Sequence, residues 1–330
     1  MSWTTIWSHA QRGIAQYSKS NSSVQIVMRQ ITSVDKIRLV FANEYGKQTQ
    51  HIQNFSFQTN ERCQSIPDFC VSPGDIYKTE SISIDPEAKK WQISFETRST
   101  ESGFAYNDAD FLAKIGEHDF CSGLIAIEAE IEGECIVALG DSLTEGATWT
   151  APIQRKFRAN NLFFVNQGIN GSCLLKSSSD RPTDEANSLF YGYDSVKRLK
   201  FCLASHSNVS KVILFLGSND LINGELTLAC FQEMIKNLIQ LCKDHNVEYQ
   251  LCTLTPSLGY PGMDQSKEDL RREINRWLVT NYNEVWDFSA IVEEHDHLKT
   301  IFDSGDHLHF NAAAGLAIAR QISSDFVKGE

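Results

Sequence analysis

The segment Cys135–Gly146, C-I-V-A-L-G-D-S-L-T-E-G, decides how this chain is organised. Its first five residues are continuously apolar and stop at Gly140, which is typical of a buried strand that runs into a tight turn. Ser142 then lies just beyond the carboxyl end of that strand, where parallel α/β sheets place their ligands. A serine at such a turn is also a common N-cap, so this segment alone leaves a capping role open.

Downstream of this segment, apolar runs alternate with helical periodicity. The predicted strands are apolar over consecutive residues, as expected for a sheet covered on both faces, and they are 135–139, 162–166, 211–216, 248–254 and 284–288. The predicted helices are 225–243, 266–280, 311–326 and a first helix with Trp149 and Phe157 in the core. Strands joined by helices predict an α/β fold with a doubly wound, five-stranded parallel sheet.

The chain upstream of this segment has a period of two instead. Apolar residues occupy every second position in Val24–Met28 and in Trp91–Phe95, which is typical of antiparallel strands with one buried face. A chain of 330 residues also exceeds one typical core. We therefore predict an all-β sandwich or jelly-roll-like domain at residues 1–132, with its last strand at 123–131, followed by the α/β domain at residues 133–330.

Composition excludes several classes of partner. A net charge of −12 disfavours nucleic acid and anionic membranes, because both require basic patches. No run approaches the roughly 20 apolar residues of a membrane span, and the first residues lack the pattern of a secretory signal. The nine cysteines form no C-x-x-C pairs, so neither a disulfide framework nor a zinc cluster is indicated. We expect a cytoplasmic protein whose substrate is neutral or cationic.

Cofactor signals are equally weak. No Gly-x-Gly-x-x-Gly follows a predicted strand and no P-loop lysine is present, so a nucleotide is not indicated. His295, Asp296, His297 and His307 suggest a metal site by composition. That spacing is more typical of a solvated acidic loop, and we reject the metal interpretation. We predict no cofactor and no metal.

Four short segments follow predicted strands or lie beside them. They are G-D-S-L-T-E-G at Gly140, N-Q-G-I-N-G at Asn166, G-S-N-D at Gly217 and D-H-L-H-F-N at Asp306. In this order they resemble the sequence blocks of the SGNH or GDSL hydrolases, a family of serine esterases and lipases. The resemblance implies a flavodoxin-like parallel sheet for the second half of the chain.

The resemblance extends beyond these four blocks. T-L-T-P-S-L-G-Y at Thr253 is similar to the esterase branch of the family. R-L-V-F-A-N-E-Y-G at Arg38 is similar to the β-module that precedes the hydrolase domain in some bacterial members. The resemblance therefore extends over nearly the whole chain. The absence of G-x-S-x-G argues against the nucleophile elbow of the ordinary α/β-hydrolases.

The family resemblance implies a role for each matching residue. Ser142 is the expected nucleophile, and a hydroxyl needs a base within hydrogen-bond reach to attack at neutral pH. His309 matches the family's general base, and Asp306 can orient the imidazole and stabilise its charged form. The resemblance also implies that the backbone N–H of Ser142, the backbone N–H of Gly171 and the side chain of Asn219 form the oxyanion hole.

Some assignments have competitors. Gly168 is the alternative to Gly171, which we prefer because the family's donor is the glycine of the I-x-G step. Asn219 and Asp220 could instead cap the helix that follows them. Asp287 could compete with Asp306 as the partner of the histidine.

Two positions depart from the family pattern. The family usually has glycine after the aspartate and proline after the histidine, whereas this chain has His307 and Phe310 there. Neither residue carries a triad atom. They put the loop conformation, and access to the acyl pocket near Phe310, in question.

The sequence therefore predicts a serine esterase that cleaves small carboxylic esters through an acyl-enzyme. A carbohydrate O-acetylesterase, a lysophospholipase and a thioesterase are the alternatives among hydrolases. A non-enzyme alternative is a glycan-binding β-module on an inactive hydrolase scaffold, which the presence of every block residue disfavours. The expected partner is a small-molecule or carbohydrate ester. Acyl-chain length depends on loops such as 176–193, and neither it nor the oligomeric state follows from the sequence.

Overall fold

A computed structural model describes residues 2–13, 22–60, 62–97, 101–104, 120–121, 123–177 and 189–322 of the chain. Its N-terminal part consists of short strands. They are β1 (Trp3–Ser8), β2 (Arg12–Gly13), β3 (Ser22–Arg29), β4 (Lys36–Ala42), β5 (Gln50–Thr59), β6 (Arg62–Ser65), β7 (Phe69–Val71), β8 (Ile76–Lys78), β9 (Ile82–Ser83), β10 (Lys90–Thr97), β11 (Glu101–Phe104), β12 (Phe120–Cys121) and β13 (Leu124–Glu130).

Two antiparallel sheets in this part contribute to one apolar core. One has the order β1-β13-β4-β8, with β9 also paired to β4, and the other has β3-β10-β5-β6, with β7 paired to β5. Ile26 and Ile93 are cross-strand partners in the second sheet. Both are fully buried in one cluster with Leu39 and Ile127 of the first sheet, because alternate residues of each strand face inward. The predicted β-module is confirmed as antiparallel, while its jelly-roll-like form stays a prediction.

The second half of the chain contains a parallel sheet and helices. The sheet strands are β14 (Glu134–Gly140), β15 (Leu162–Gly168), β16 (Val209–Phe215), β17 (Glu248–Cys252) and β18 (Val285–Trp286). The helices are α1 (Ser142–Glu145), α2 (Thr150–Phe157), α3 (Ser195–Ser205), α4 (Ser218–Ile222), α5 (Leu228–Asp244), α6 (Gln265–Asn281), α7 (Phe288–Val292) and α8 (Ala312–Gln321). A small hairpin, β19 (Glu293–Glu294) and β20 (His297–Leu298), follows α7. No helix in the described ranges is long and apolar enough to cross a membrane.

The side chains of strand β14 pack in two separate apolar cores, one on each face of the sheet, which explains why its sequence is apolar without interruption. Cys135, Val137 and Leu139 pack with apolar residues of α3, α5 and α6. Ile136 and Ala138 point the other way and pack with residues of α2, α7 and α8. Helices therefore cover both faces of the sheet, and the predicted doubly wound parallel sheet is confirmed.

The sheet order brings three strand ends to one crevice. The strands follow the order β15-β14-β16-β17-β18, which is the 2-1-3-4-5 order of flavodoxin-like folds. Gly140, the last residue of β14, is in register with Gly168 of β15 and Phe215 of β16. The chain thus leaves the central strand between two neighbours that end at the same level, at the switch point where such sheets bind ligands.

Element boundaries differ from the sequence predictions for local reasons. The strand predicted at 284–288 is shorter because the Asp287 side chain accepts a hydrogen bond from Ala290 N and caps α7. The helix predicted from residue 225 starts at Leu228 because Thr227 caps it. The sequence does not predict helices α1, α3, α4 and α7. The predicted continuation of the last helix to residue 326 lies outside the described residues.

The β-module packs directly against the parallel sheet. Ser207 exchanges two hydrogen bonds with Thr5 of β1, through Thr5 N at 3.1 Å and Thr5 Oγ1 at 2.8 Å. Gln167 Nε2 of β15 donates to Ser8 Oγ of β1 at 2.8 Å. Phe163 of β15 belongs to the core of the module. The division into domains at residue 133 stays a prediction.

Candidate active site

The candidate nucleophile and base lie within hydrogen-bond distance. Ser142 opens α1 directly after β14, and the side chain of Asp141 caps this turn by accepting from Leu143 N at 3.0 Å. Ser142 Oγ is 2.9 Å from His309 Nε2. The two residues are 167 positions apart in the chain, so the fold, and no local motif, brings them together.

Asp306 holds the other ring nitrogen of this histidine. His309 Nδ1 is 2.5 Å from Asp306 Oδ2, while Asp306 Oδ1 accepts from the backbone N–H groups of Leu308 and His309 at 3.0 and 2.8 Å. Partial burial raises the pKa of Asp306, but these hydrogen bonds outweigh it and lower the pKa to about 2. The carboxylate therefore stays ionised at neutral pH and fixes the Nδ1–H tautomer, which leaves Nε2 as a proton acceptor.

Asn219 and Asp220 join the second and third sequence blocks. Asn219 Nδ2 donates to Ser172 O at 2.9 Å and approaches Asp141 Oδ2 at 3.4 Å. Asp220 is fully buried, and its carboxylate accepts from the backbone N–H groups of Leu174 and Leu175 at 2.7 and 2.9 Å. The capping alternative for these two residues is wrong, because they lie inside α4, whose N-cap is a glycine without a side-chain cap.

The two candidate glycines have different surroundings. The N–H of Gly168 donates to Asn166 Oδ1 at 2.9 Å, and a Cβ at Gly168 would lie 2.1 Å from the backbone nitrogen of Glu145. Gly171 has a φ of +72°, and the ring of Tyr191 occupies the space that a Cβ would need. Close packing requires glycine at both positions, and the N–H of Gly168 is already engaged.

Arg198 links three segments that border this crevice, and the sequence does not predict this role. It is almost fully buried in α3, and its guanidinium donates to Gly140 O at 2.9 Å, to Ser172 Oγ at 2.7 Å and to Gln167 O. One side chain thus fixes the ends of β14 and β15 and the loop after β15. No local sequence pattern marks an arginine for this role.

Asp141, the residue before Ser142, carries a buried carboxyl group. Burial raises the pKa of Asp141 to about 7, although the hydrogen bond from Leu143 N and the charges of His309 and Arg198 oppose the rise. The negative charge of Asp220 adds to it. The charge next to the site therefore changes near neutral pH.

The competing residues serve other contacts. Asp287 accepts from Thr253 Oγ1 at 2.9 Å and caps α7. It therefore has a structural role, and Asp306 is the partner of the histidine.

The two departures from the family pattern are accommodated by the fold. His307 adopts the left-handed conformation that a glycine would take, with a φ of +69°. Its Nδ1 lies 3.0 Å from Asp303 Oδ2. Phe310 is buried and stacks on Phe215 with ring centroids 6.4 Å apart. It therefore belongs to the apolar core on this face of the sheet.

Two of the residues that suggest a metal site by composition lie in a tight turn. His295 and Asp296 form the turn between β19 and β20, with φ values of 50° and 67°. Two consecutive left-handed residues are typical of a tight hairpin turn. Asp296 also pairs with Arg272 at 3.2 Å.

Comparison with known proteins places this site in a family. The model of the GDSL-like lipase/acylhydrolase family matches residues 138–314, more than half of the chain. Comparison with curated proteins gives no significant match.

Several solved structures are similar to part of the chain. A putative acylhydrolase from Bacteroides fragilis is 17% identical, with a TM-score of 0.44 over 61% of this chain and 91% of that one. A putative arylesterase from Agrobacterium tumefaciens is 15% identical, with a TM-score of 0.44 over 59% and 99%. An inhibitor-bound aryl esterase from M. smegmatis is 16% identical, with a TM-score of 0.47 over 60% and 98%. On the strength of the family match, the chain belongs to the GDSL-like lipase/acylhydrolase family and is a carboxylic ester hydrolase.

Proposed function

We propose that this chain hydrolyses small carboxylic esters through an acyl-enzyme on Ser142, with His309 as general base and Asp306 as the residue that orients it. One observation carries the proposal. A continuous hydrogen-bond path runs from Ser142 Oγ to His309 Nε2 at 2.9 Å and from His309 Nδ1 to Asp306 Oδ2 at 2.5 Å. This path gives the hydroxyl the adjacent base that it needs.

The reaction proceeds in two halves. Ser142 Oγ bonds to the ester carbonyl carbon while His309 Nε2 takes the hydroxyl proton, and the tetrahedral intermediate expels the alcohol, which leaves with that proton. Water then gives a proton to the same nitrogen and attacks the acyl carbon, so that the carboxylic acid leaves and the serine regains its proton. Asp306, with a pKa of about 2, remains a carboxylate and stabilises the imidazolium in both halves.

Three donors stabilise the oxyanion in this proposal. They are the N–H of Ser142, the N–H of Gly171 and Nδ2 of Asn219, an arrangement that adds no net charge. The choice of Gly171 over Gly168 is supported by the hydrogen bond of the Gly168 N–H to Asn166, which removes that donor. Asn219 Nδ2 carries two hydrogens, and one of them donates to Ser172 O at 2.9 Å, beside the second block. The other has only a long contact, 3.4 Å to Asp141 Oδ2, and it is the hydrogen that would donate to the oxyanion.

Site-directed variants test the proposal with a short p-nitrophenyl ester. Ser142→Ala should lower kcat roughly 10⁶-fold, and Asn219→Ala roughly 10²-fold to 10³-fold. Ser266→Ala is the matched control, because Ser266 is an exposed serine of the same half of the chain, and it should retain the wild-type rate. Substantial turnover by Ser142→Ala would discard the proposal.

A covalent probe provides a second, independent readout. A fluorophosphonate reacts with an activated serine, so it should label the wild type and leave Ser142→Ala unlabelled. An inactive glycan-binding scaffold would leave both unlabelled. Esters of increasing acyl length, run beside acetylated xylan and acetylated amino sugars, then distinguish a small-ester hydrolase from a carbohydrate O-acetylesterase or a lysophospholipase.

A further inference from the structure

We propose that Arg12, a residue of the N-terminal β-module, is a positioning residue for the oxyanion hole of the hydrolase half. This inference rests on the proposed function, because it concerns the loop that carries the donor Gly171. Arg12 lies in β2 and is 1% exposed. Its guanidinium forms an ion pair with Glu145 in α1, three residues after the nucleophile.

Glu145 connects this ion pair to the oxyanion loop. While one carboxylate oxygen pairs with Arg12, the other accepts from the backbone N–H of Asn170 at 3.0 Å. Asn170 directly precedes Gly171, so this hydrogen bond fixes the orientation of the peptide beside the proposed donor. A charge-assisted bond to a backbone N–H is stronger than a neutral one.

A second contact of Arg12 reaches the other side of the same loop. The guanidinium carbon lies 5.0 Å from the ring centroid of Phe190, whose ring meets that of Tyr191 at 5.2 Å in an edge-to-face arrangement. Tyr191 in turn fills the space over Gly171, with its Cδ1 2.4 Å from where a Cβ would stand. One arginine therefore supports the donor loop through Glu145 and through two aromatic rings.

Removal of the guanidinium would disturb both supports. Glu145 is nearly buried, and a buried carboxylate without its cation is costly, so it would reorient toward water. This change weakens its bond to Asn170. The loop then holds Gly171 less rigidly, and misplacement of a transition-state donor lowers kcat more than it raises KM.

The experiment compares two arginines of the β-module that each pair with a buried carboxylate. Arg12→Met should lower kcat roughly 10-fold to 10²-fold for a short p-nitrophenyl ester, with KM within about threefold. Arg38→Met is the matched control. Arg38 pairs with the fully buried Glu128 at 2.5 Å and reaches Ser207, so this variant should lose thermal stability but keep kcat.

Further variants keep the test decisive if Arg12→Met folds poorly. Arg12→Lys preserves the charge that pairs with Glu145 but loses the planar contact with Phe190, so it should lower kcat less than Arg12→Met does. Glu145→Gln should reduce kcat as Arg12→Met does. The double variant should be no slower than the slower single variant, because Glu145→Gln weakens an ion pair that Arg12→Met has already removed.

A transition-state mimic separates positioning from simple stabilisation. A trifluoromethyl ketone forms a tetrahedral adduct with an active serine, and its affinity should fall in parallel with kcat in Arg12→Met. If Arg12→Met and Glu145→Gln are folded and retain full kcat while Ser142→Ala is inactive, the positioning role is wrong and the triad stands. If Ser142→Ala is itself active, the proposed function fails first.

Discussion

Lowering the pH should weaken the contact between the β-module and the hydrolase half through His206. This side chain is buried between them, with Nε2 2.8 Å from Ser8 Oγ and Nδ1 3.0 Å from Cys202 O. Burial lowers the pKa of His206 from 6.5 to about 4, against the raising effects of the Cys202 carbonyl and of Glu128. Between these two values the unfolded chain binds a proton that the folded protein excludes, so stability falls as the pH decreases.

The size of this effect follows from the two pKa values. At pH 5 the unfolded imidazole is almost fully protonated and the folded one is not, which costs about 2 kcal/mol relative to pH 7.5. The full loss, about 3 kcal/mol, is reached only below pH 4. His9, whose pKa burial also lowers to about 4, adds a similar decline. The wild-type curve therefore sums several groups, and only a variant isolates one of them.

The measurement is urea unfolding of the wild type and of His206→Gln, followed by tryptophan fluorescence between pH 7.5 and pH 5. Glutamine can bond to Ser8 but does not titrate. His206→Gln should be less stable at pH 7.5, and it should then lose about 2 kcal/mol less than the wild type on acidification. The exposed His245→Gln should follow the wild-type curve. A constant difference between His206→Gln and wild type at every pH would refute the reasoning.

Three further predictions concern Asp306, Asp141 and Gly168. Asp306→Asn should lower kcat roughly 10⁴-fold with little change in KM, because the imidazole loses the carboxylate 2.5 Å from its Nδ1, whereas Asp287→Asn should keep kcat in the same ester assay. In the wild type the folded carboxyl group of Asp141 holds its proton up to about pH 7, so the free energy of unfolding should fall by roughly 2–3 kcal/mol between pH 5 and pH 8. Asp141→Asn should not show this loss in urea unfolding. Gly168→Ala should cost about 3 kcal/mol because its Cβ would lie 2.1 Å from a backbone nitrogen, and Gly146→Ala, with its nearest neighbour at 3.5 Å, should be neutral by urea midpoint.

The parallel sheet could be predicted because its signals are local. The run from Cys135 to Leu139 is apolar at every position, and the structure sends alternate residues into two different cores. A strand exposed on one face would have had to alternate. Long amphipathic helices such as Leu228–Asp244 carry the same kind of signal, whereas the five-residue helix Ser218–Ile222 is too short to show a period.

The site was predictable only in part, because part of it depends on distant contacts. Ser142, Asn219 and His309 belong to sequence blocks, and the rule that parallel strands end at one crevice groups them. Arg12 and Glu145 are 133 positions apart in the chain. An arginine that pairs over such a distance has no spacing, period or neighbour in the sequence that predicts its partner.

The contacts between the two halves bear on what the predicted boundary at residue 133 means. The boundary marks a change from period-two strands to alternating strands and helices, but buried side-chain contacts cross it. Phe163 of the parallel sheet packs in the core of the β-module, and Glu145 of the hydrolase half forms an ion pair with Arg12 of the β-module. A hydrolase half without residues 1–132 would expose that aromatic ring to water and leave a nearly buried carboxylate unpaired. The sequence change therefore separates two kinds of fold, and the structure joins them into one unit at the candidate site.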